Sequence, residues 1–222
     1  MPGKPKLKTL EPQQGRSRES LRRLLKAAAE VLGQHGLAGA TIPRIAAHAG
    51  LTPGAVYRRF RNKDVLLETM ILQILEDQDR IIRQSITPTM AAEIPASILA
   101  GQVISSLIIS YRGNAGLLRA IREFAQGRVG TPFWKKTTRL EVRTVEYVVD
   151  LLLASKGQIR HSNPRVAVGL GVAMVVGALW ELVVFPPDPG VWKGLVPADD
   201  HELQRELTRS LLSYLFTHGS ED

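Results

Sequence analysis

Residues 41–63, TIPRIAAHAGLTPGAVYRRFRNK, constrain the fold more tightly than any other stretch, because a helix start stands on either side of a glycine turn. Thr41 can cap a first helix, and Pro43 is tolerated in its first turn, where backbone N–H groups have no intrahelical partner. That helix is predicted to end near Ala49. Gly50 then supplies the left-handed backbone that a helix exit favours, and Leu51 packs back on the helix just completed. A second helix starts at once, with Thr52 as its cap and Pro53 as its first residue. Ile45, Ala46, Ala49, Leu51, Val56 and Phe60 then share one apolar face. Ala46 and Gly50 let the two helices cross closely, as a helix-turn-helix requires.

The exposed side of the second helix would carry Thr52, Pro53, Gly54, Ala55, Tyr57, Arg58 and Arg59. Gly54 and Ala55 lack bulk, so the backbone can approach a groove, while Tyr57 and the arginines reach phosphates or base edges. Lys63 follows Asn62, the predicted cap of a further helix, where free N–H groups favour a phosphate. Charge points the same way. Residues 1–63 hold 13 Lys plus Arg against 3 Glu, a net of +10, and the remaining 159 residues hold 16 against 18 acidic ones. A basic module on a near-neutral body is the footprint of a nucleic-acid binder, since phosphate neutralisation supplies most non-specific affinity.

Thr41, Ile-Ala-x-x-Ala-Gly at 45–50, Thr-x-Gly-x-Val-Tyr at 52–57, Phe60, Lys63 and Leu66 together resemble the DNA-binding domain of the TetR (tetracycline-repressor) family, over about residues 17–75. At one position the chain departs from that pattern: Arg59 stands where the family often has His. The resemblance implies a regulator, most often a repressor, whose homodimer sets two recognition helices, residues 53–59, in successive major grooves of double-stranded DNA about 34–36 Å apart. The implied DNA-binding set is Thr41, Arg44, Thr52, Pro53, Gly54, Ala55, Tyr57, Arg58, Arg59 and Lys63. Within it Arg58, Thr52, Gly54 and Ala55 lie nearest the bases, and Thr41, Tyr57, Arg59 and Lys63 position the backbone.

Taken in order, residues 1–15 mix Pro, Gly, Gln and Lys and are expected to form a mobile basic tail, with Lys4, Lys6 and Lys8 available to hold DNA. No apolar run follows them, so a signal peptide is not expected. Residues 16–63 form the DNA-binding domain: a first helix from Ser17 to His35, closed by Gly36, buries Leu21, Leu24, Leu25, Ala28, Val31 and Leu32. Arg16, Arg18, Arg22 and Arg23 lie near its start. A linking helix runs over 63–84 with Val65, Leu66, Met70, Ile74, Ile81 and Ile82 as its buried stripe, until Thr87-Pro88 breaks it. Residues 85–222 read as a ligand-binding and dimerisation domain with helices near 90–111, 114–127, 132–156, 164–185 and 200–217. No alternating run suggests a sheet, so the chain is expected to be all-α, and the Pro- and Gly-rich 185–200 segment a loop.

The body carries no catalytic motif: GxSxG, GxxxxGK[ST], HExxH and dinucleotide-binding turns are all missing. No enzyme activity, cofactor or metal site is expected. His35, His48, His161, His201 and His218 lack metal-ligand spacing, and the complete lack of cysteine fits a cytoplasmic protein. A small-molecule effector pocket is expected among Tyr111, Arg119, Phe124, Trp134, Tyr147, Met174 and Trp180, which combine large apolar walls with a polar contact. Residues 166–185 carry one charge, Glu181, and approach a bilayer span in length. Gly169, Ala173 and Gly177 repeat at four, however, which suits a close helix–helix contact, so no membrane partner is expected. With Leu207 and Leu211 of the last helix they form the expected dimer interface, since the resemblance implies a four-helix bundle across a two-fold axis. The His-containing stretch 158–164, Gln-Ile-Arg-His-x-x-Pro, carries the weaker likeness of this half.

Overall fold

In the computed structural model the described residues are 11–216 apart from 158 and 160, and for 11–14 and 16 only the backbone is described. Lys4, Lys6, Lys8, Gln158, Arg160 and His218 therefore lie outside the described residues, as does the side chain of Arg16. Every regular element described is helical, apart from one isolated bridge between Pro95 and Lys156. The chain divides into two units, Met1–Met70 and Ile71–Asp222. The division falls inside one continuous helix.

The first unit holds α1 (Glu11–Gly39), α2 (Ile42–His48), α3 (Pro53–Tyr57) and the start of α4 (Lys63–Ser85). α1 begins at Glu11, so residues 11–15, expected in the tail, are helical instead. Its regular backbone breaks at Gly36, whose φ of 65° a side chain would strain. Leu24, Leu25, Ala28, Val31 and Leu32 are buried on one face, and Ile42, Ile45, Ala46, Ala49, Val56 and Phe60 meet them in a single small core. In α4 the buried apolar residues are Leu66, Leu67, Met70 and Ile71, whereas Val65 and Ile81 are exposed. Those two apolar side chains stand on the outer face of α4, and the buried stripe is narrower than its periodicity suggested.

The second unit continues α4 and adds α5 (Pro88–Ala91), α6 (Ala96–Gln126), α7 (Pro132–Ala154), α8 (Pro164–Leu179), a π-helical turn (Trp180–Val184) and α9 (Asp200–Phe216). Two helices were expected over 90–127; the first begins at Ala96, after Pro95, and Gly113 does not stop it. The helix passes through and kinks at Asn114, whose side-chain amide donates to Ser110 O at 2.8 Å. Thr87, Thr131 and Asn163 cap α5, α7 and α8, each ahead of a proline. α9 has a reciprocal cap: Asp199 accepts from Glu202 N at 2.7 Å, and Glu202 accepts from Ala198 N at 2.7 Å. α6 packs on α9, α7 on α8, and α8 on α9, around Leu99, Ile104, Ile108, Leu151, Val168 and Leu179.

Pro164–Val184 is 21 residues long with mean hydropathy 2.1, enough by length and composition to cross a membrane, and a third of it is buried. Ala167, Val168, Gly171, Val172, Val175 and Leu179 face inward. Val166, Leu170 and Met174 are 59%, 50% and 48% exposed, so one side of this apolar helix has no cover among the described residues.

Candidate nucleic-acid interface

The turn between α2 and α3 is built by hydrogen bonds that the sequence dictates. Thr41 Oγ1 accepts from Arg44 N at 3.4 Å and starts α2. Gly50, at φ 66°, lets the exit close: Gly50 N donates to Ala47 O at 3.1 Å and Leu51 N to Ala46 O at 2.8 Å. Thr52 Oγ1 then accepts from Ala55 N at 3.2 Å and starts α3. α3 is shorter than expected, since Arg58 and Arg59 form the turn that follows Tyr57. Val56 and Phe60 anchor it from below. Thr52, Pro53, Gly54, Tyr57, Arg58 and Arg59 all face outward, and Ala55 is half-buried. A Cβ on Gly54 would meet nothing within 4 Å, so its backbone is an open approach for a ligand.

The basic side chains fall into two groups. Three are tied to backbone carbonyls: Arg44 to Gly39 O at 2.7 Å, Lys63 to Leu37 O at 3.1 Å, and Arg59 to Ser17 O at 3.1 Å and Ser17 Oγ at 3.2 Å. The Arg59 bonds join the end of the recognition segment to the first turns of α1, a tether that an imidazole is too short to reproduce. Arg22 pairs with Glu19, holding that carboxyl below its ordinary range. Arg58 has no partner among the described residues, and neither do Arg18 and Arg61, whereas the Arg23 charge also acts on Glu19. Arg61 was missed in the sequence because it lies between the two helices that set the pattern; its exposed position beside Asn62, which caps α4 through Val65 N at 2.9 Å, marks it as a candidate phosphate contact. His48 is held by Glu30 at 2.7 Å.

In the body, the candidate pocket residues separate into packing groups. Phe124 is fully buried, edge-on to Phe133 at 5.7 Å with the Arg128 guanidinium over its ring. Trp180 lies 6.0 Å from Tyr111 and 6.1 Å from Phe185, and Arg122 covers it at 5.0 Å. Arg119 donates to Val184 O at 2.6 Å, at the end of the π-turn. Tyr147 donates to Ile86 O at 2.8 Å, Trp134 is half-buried, and Met174 faces outward on α8. None of the seven lines either of two grooves in this unit. One, of about 320 Å³, runs between α7 and α8 along Glu141, Val142, Val145, Glu146, Val149, Arg165 and Gly169. The other, of about 1030 Å³, lies between α6 and α9, with Ser105, Gln204 and Arg209 among the residues that line it. Glu141 is exposed as a residue, yet partial burial raises its carboxyl, and burial together with that charge raises the Tyr111 hydroxyl. No group of His or acidic side chains among the described residues is placed to hold a metal.

The candidate interface residues also separate. Ala173 and Gly177 point away from the core, Gly169 is half-buried beside the groove along α7, and added Cβ atoms at the two glycines would meet nothing within 4 Å. The close approach inside the subunit is made by Gly171, where a Cβ would overlap Leu211 Cδ1. Leu211 is thus buried in its own chain, and Leu207 is half-buried.

A capped helix pair, joined by a positive-φ glycine and presenting unpaired arginines beside an uncrowded backbone, defines a helix-turn-helix DNA-binding unit on an all-helical body. Over residues 24–70 the chain matches the family described as bacterial regulatory proteins, tetR family. It is 46% identical over 61 residues to the HTH-type transcriptional regulator BetI 2 of Chromohalobacter salexigens, a match covering 27% of this chain and 30% of the relative's length. The fold is shared with FadR of Bacillus subtilis, whose structure is a complex with stearoyl-CoA, at 18% identity over 87% of this chain and 98% of that one, TM-score 0.60. It is shared equally with SmeT, the repressor of a Stenotrophomonas maltophilia multidrug efflux pump, at 22% identity over 90% and 91%, TM-score 0.60.

Proposed function

We propose that the protein is a ligand-responsive repressor that binds a two-fold symmetric operator as a homodimer and is released by a small apolar or amphipathic effector. The observation that carries this reading is the outward face of α3. Thr52, Gly54, Tyr57 and Arg58 stand clear of the core beside the half-buried Ala55, with Arg58 unpaired among the described residues. Arg58 reads base edges, Thr52, Gly54 and Ala55 admit the backbone to the groove, and Thr41, Arg44, Tyr57, Arg59 and Lys63 hold phosphates, directly or by fixing the helices that do. A five-residue helix covers few base pairs, so two copies are needed for selectivity.

The open face of α8 supports the second copy as its cover, with Val166, Leu170, Ala173, Met174 and Gly177 on it. Small residues there admit a close crossing. A membrane would cover the same face, but the helix buries its other side within its own chain, and the reading here is a cytoplasmic, DNA-bound dimer. FadR with its acyl-CoA and SmeT with its efflux pump support an apolar effector class for a fold of this kind. Effector binding would shift a two-state equilibrium by its differential affinity, about 1–3 kcal/mol of coupling, with α4 as the continuous element through which it acts.

Selection of duplexes from a random pool by the purified protein, at near-physiological salt, tests the reading. A two-fold motif with half-sites about one helical turn apart is expected. Strongly salt-dependent binding with no enriched sequence would instead make the protein an architectural clamp. The effector is sought by thermal melting against apolar compounds, since a ligand of the folded state raises its midpoint.

A further inference from the structure

Asp79 is the most deeply buried carboxylate described, 4% exposed, and the DNA-binding surface does not use it. It lies on α4, beyond the first two turns that belong to the DNA-binding unit. Arg83, one turn on, donates from Nε to both carboxylate oxygens at 3.0 Å. From α7, Arg143 donates to Oδ2 at 2.8 Å and Thr144 to Oδ1 at 3.4 Å. The cluster extends in both directions. Arg83 also donates to Arg143 O at 3.2 Å and lies 4.2 Å from the centre of the Tyr147 ring, while the Tyr147 hydroxyl donates to Ile86 O.

An apolar contact between two helices tolerates sliding, because its attraction has no direction. A carboxylate held by donors from both helices does not: a shift of one residue, about 1.5 Å along the axis, breaks bonds of 2.8–3.0 Å and strands a buried charge. Buried ion pairs are poor sources of net stability compared with packed apolar residues, and their best-attested use is to fix registry. Lys136 and Glu76, 3.2 Å apart and half-exposed, link the same two helices but are open to solvent screening.

We propose that Asp79 and Arg143 are positioning residues that lock α4 in a single register on α7, and that the DNA-competent state requires this lock to be closed. The proposal rests on the reading of the chain as an operator-binding regulator. Asp79 touches no DNA in it; it acts through the helix it fixes.

The test cuts the link on α7, because Arg83 then still compensates the buried carboxylate and the fold is kept. Full-length wild type, Arg143→Met and Arg143→Lys are compared for affinity to the selected operator duplex and to a scrambled duplex, for amide hydrogen exchange over residues 76–86, and for thermal midpoint. Arg143→Met is expected to speed exchange over 76–86 and to weaken operator binding about fivefold or more, the lower range of allosteric coupling, with scrambled-duplex binding unchanged. Arg143→Lys, which keeps a cation within reach of Asp79, should restore most of the operator affinity. Faster exchange with operator affinity unchanged or raised would overturn the proposal, and so would exchange that does not respond. If wild type itself selects no operator, the regulator reading fails as well, and that result is separate from a wild type that binds while Arg143→Met binds equally.

Discussion

The sorting of arginines into tethered and free makes a prediction that salt can resolve. Arg58 and Arg61 are exposed without partners among the described residues, and the proposed dimer would present each of them twice. If Arg61 neutralises one phosphate per half-site, Arg61→Ala removes two phosphate contacts, and the slope of log affinity against log salt should flatten by about 1.8. Over a fourfold change in salt this amounts to about twelvefold, so the variant's deficit at 50 mM should exceed its deficit at 200 mM by about that factor. Cognate and scrambled duplexes should lose affinity alike. Arg58→Ala should differ in kind: a bidentate base contact discriminates by about 1–3 kcal/mol, and two half-sites make at least about 2 kcal/mol, or roughly a thirtyfold fall in the cognate-to-scrambled ratio. Fluorescence anisotropy with labelled duplexes across 50–200 mM salt measures both quantities. If Arg58→Ala left the ratio intact, or if both variants gave the same profile, the assignment of Arg58 to bases and Arg61 to phosphate would be refuted. Lys63→Ala should follow Arg61→Ala in its uniformity, with an added loss of stability from its broken bond to Leu37 O.

Gly50→Ala forces a side chain into φ 66° at the helix-turn-helix corner and should cost about 1–2 kcal/mol, read as a lower urea midpoint with unchanged slope. Phe124→Ala empties a fully buried ring site against Phe133 and should cost about 3–5 kcal/mol by the same measurement; a cost under about 1 kcal/mol would show that Phe124 lines a space rather than fills one. Leu170→Lys places a charge on the open face of α8 and should shift sedimentation towards monomer while helical content stays constant. A dimer that survives Leu170→Lys would remove this face from the proposed interface.

Much of the DNA-binding unit was legible because its geometry is written in residues with few alternatives. Thr41 and Thr52 cap as their chemistry requires, Gly50 adopts the backbone that only glycine adopts cheaply, and Pro53 starts α3 where its missing N–H costs nothing. The end of α3 was less legible, since Arg58 and Arg59 are sound helix formers and nothing in their composition announces a turn. In α6, Gly113 looked like a stop, but helix packing on α9 outweighs a single glycine, and the chain bends at Asn114 instead. Nothing in the local sequence sets Asp79 apart from the other acids of α4, Asp64, Glu68, Glu76 and Asp77. Its burial depends on Arg143 and Thr144, more than sixty residues away, and no local pattern reports such a partner.

The body was harder for a physical reason that the aromatic residues illustrate. A ring satisfies the same helical periodicity whether it fills a core, as Phe124 does, or packs at the surface beneath a guanidinium, as Trp180 does beneath Arg122. Periodicity encodes which side of a helix is apolar and leaves open what meets it. The small residues of α8 show the same degeneracy at closer range. Gly169, Gly171, Ala173 and Gly177 are all small, yet only Gly171 receives Leu211 from α9, while Gly169 borders the groove beside α7 and Ala173 and Gly177 point outward. Small residues on opposite sides of α8 therefore serve two contacts about half a helical turn apart: an internal one that Gly171 makes, and an external one that Ala173 and Gly177 leave room for. Gly171→Ala should crowd Leu211 and lower the thermal midpoint without altering the association state, whereas Ala173→Glu should alter association first. If Gly171→Ala dissociated the dimer as readily as Ala173→Glu, the two contacts would be one, and the division of α8 into an inward and an outward face would fail.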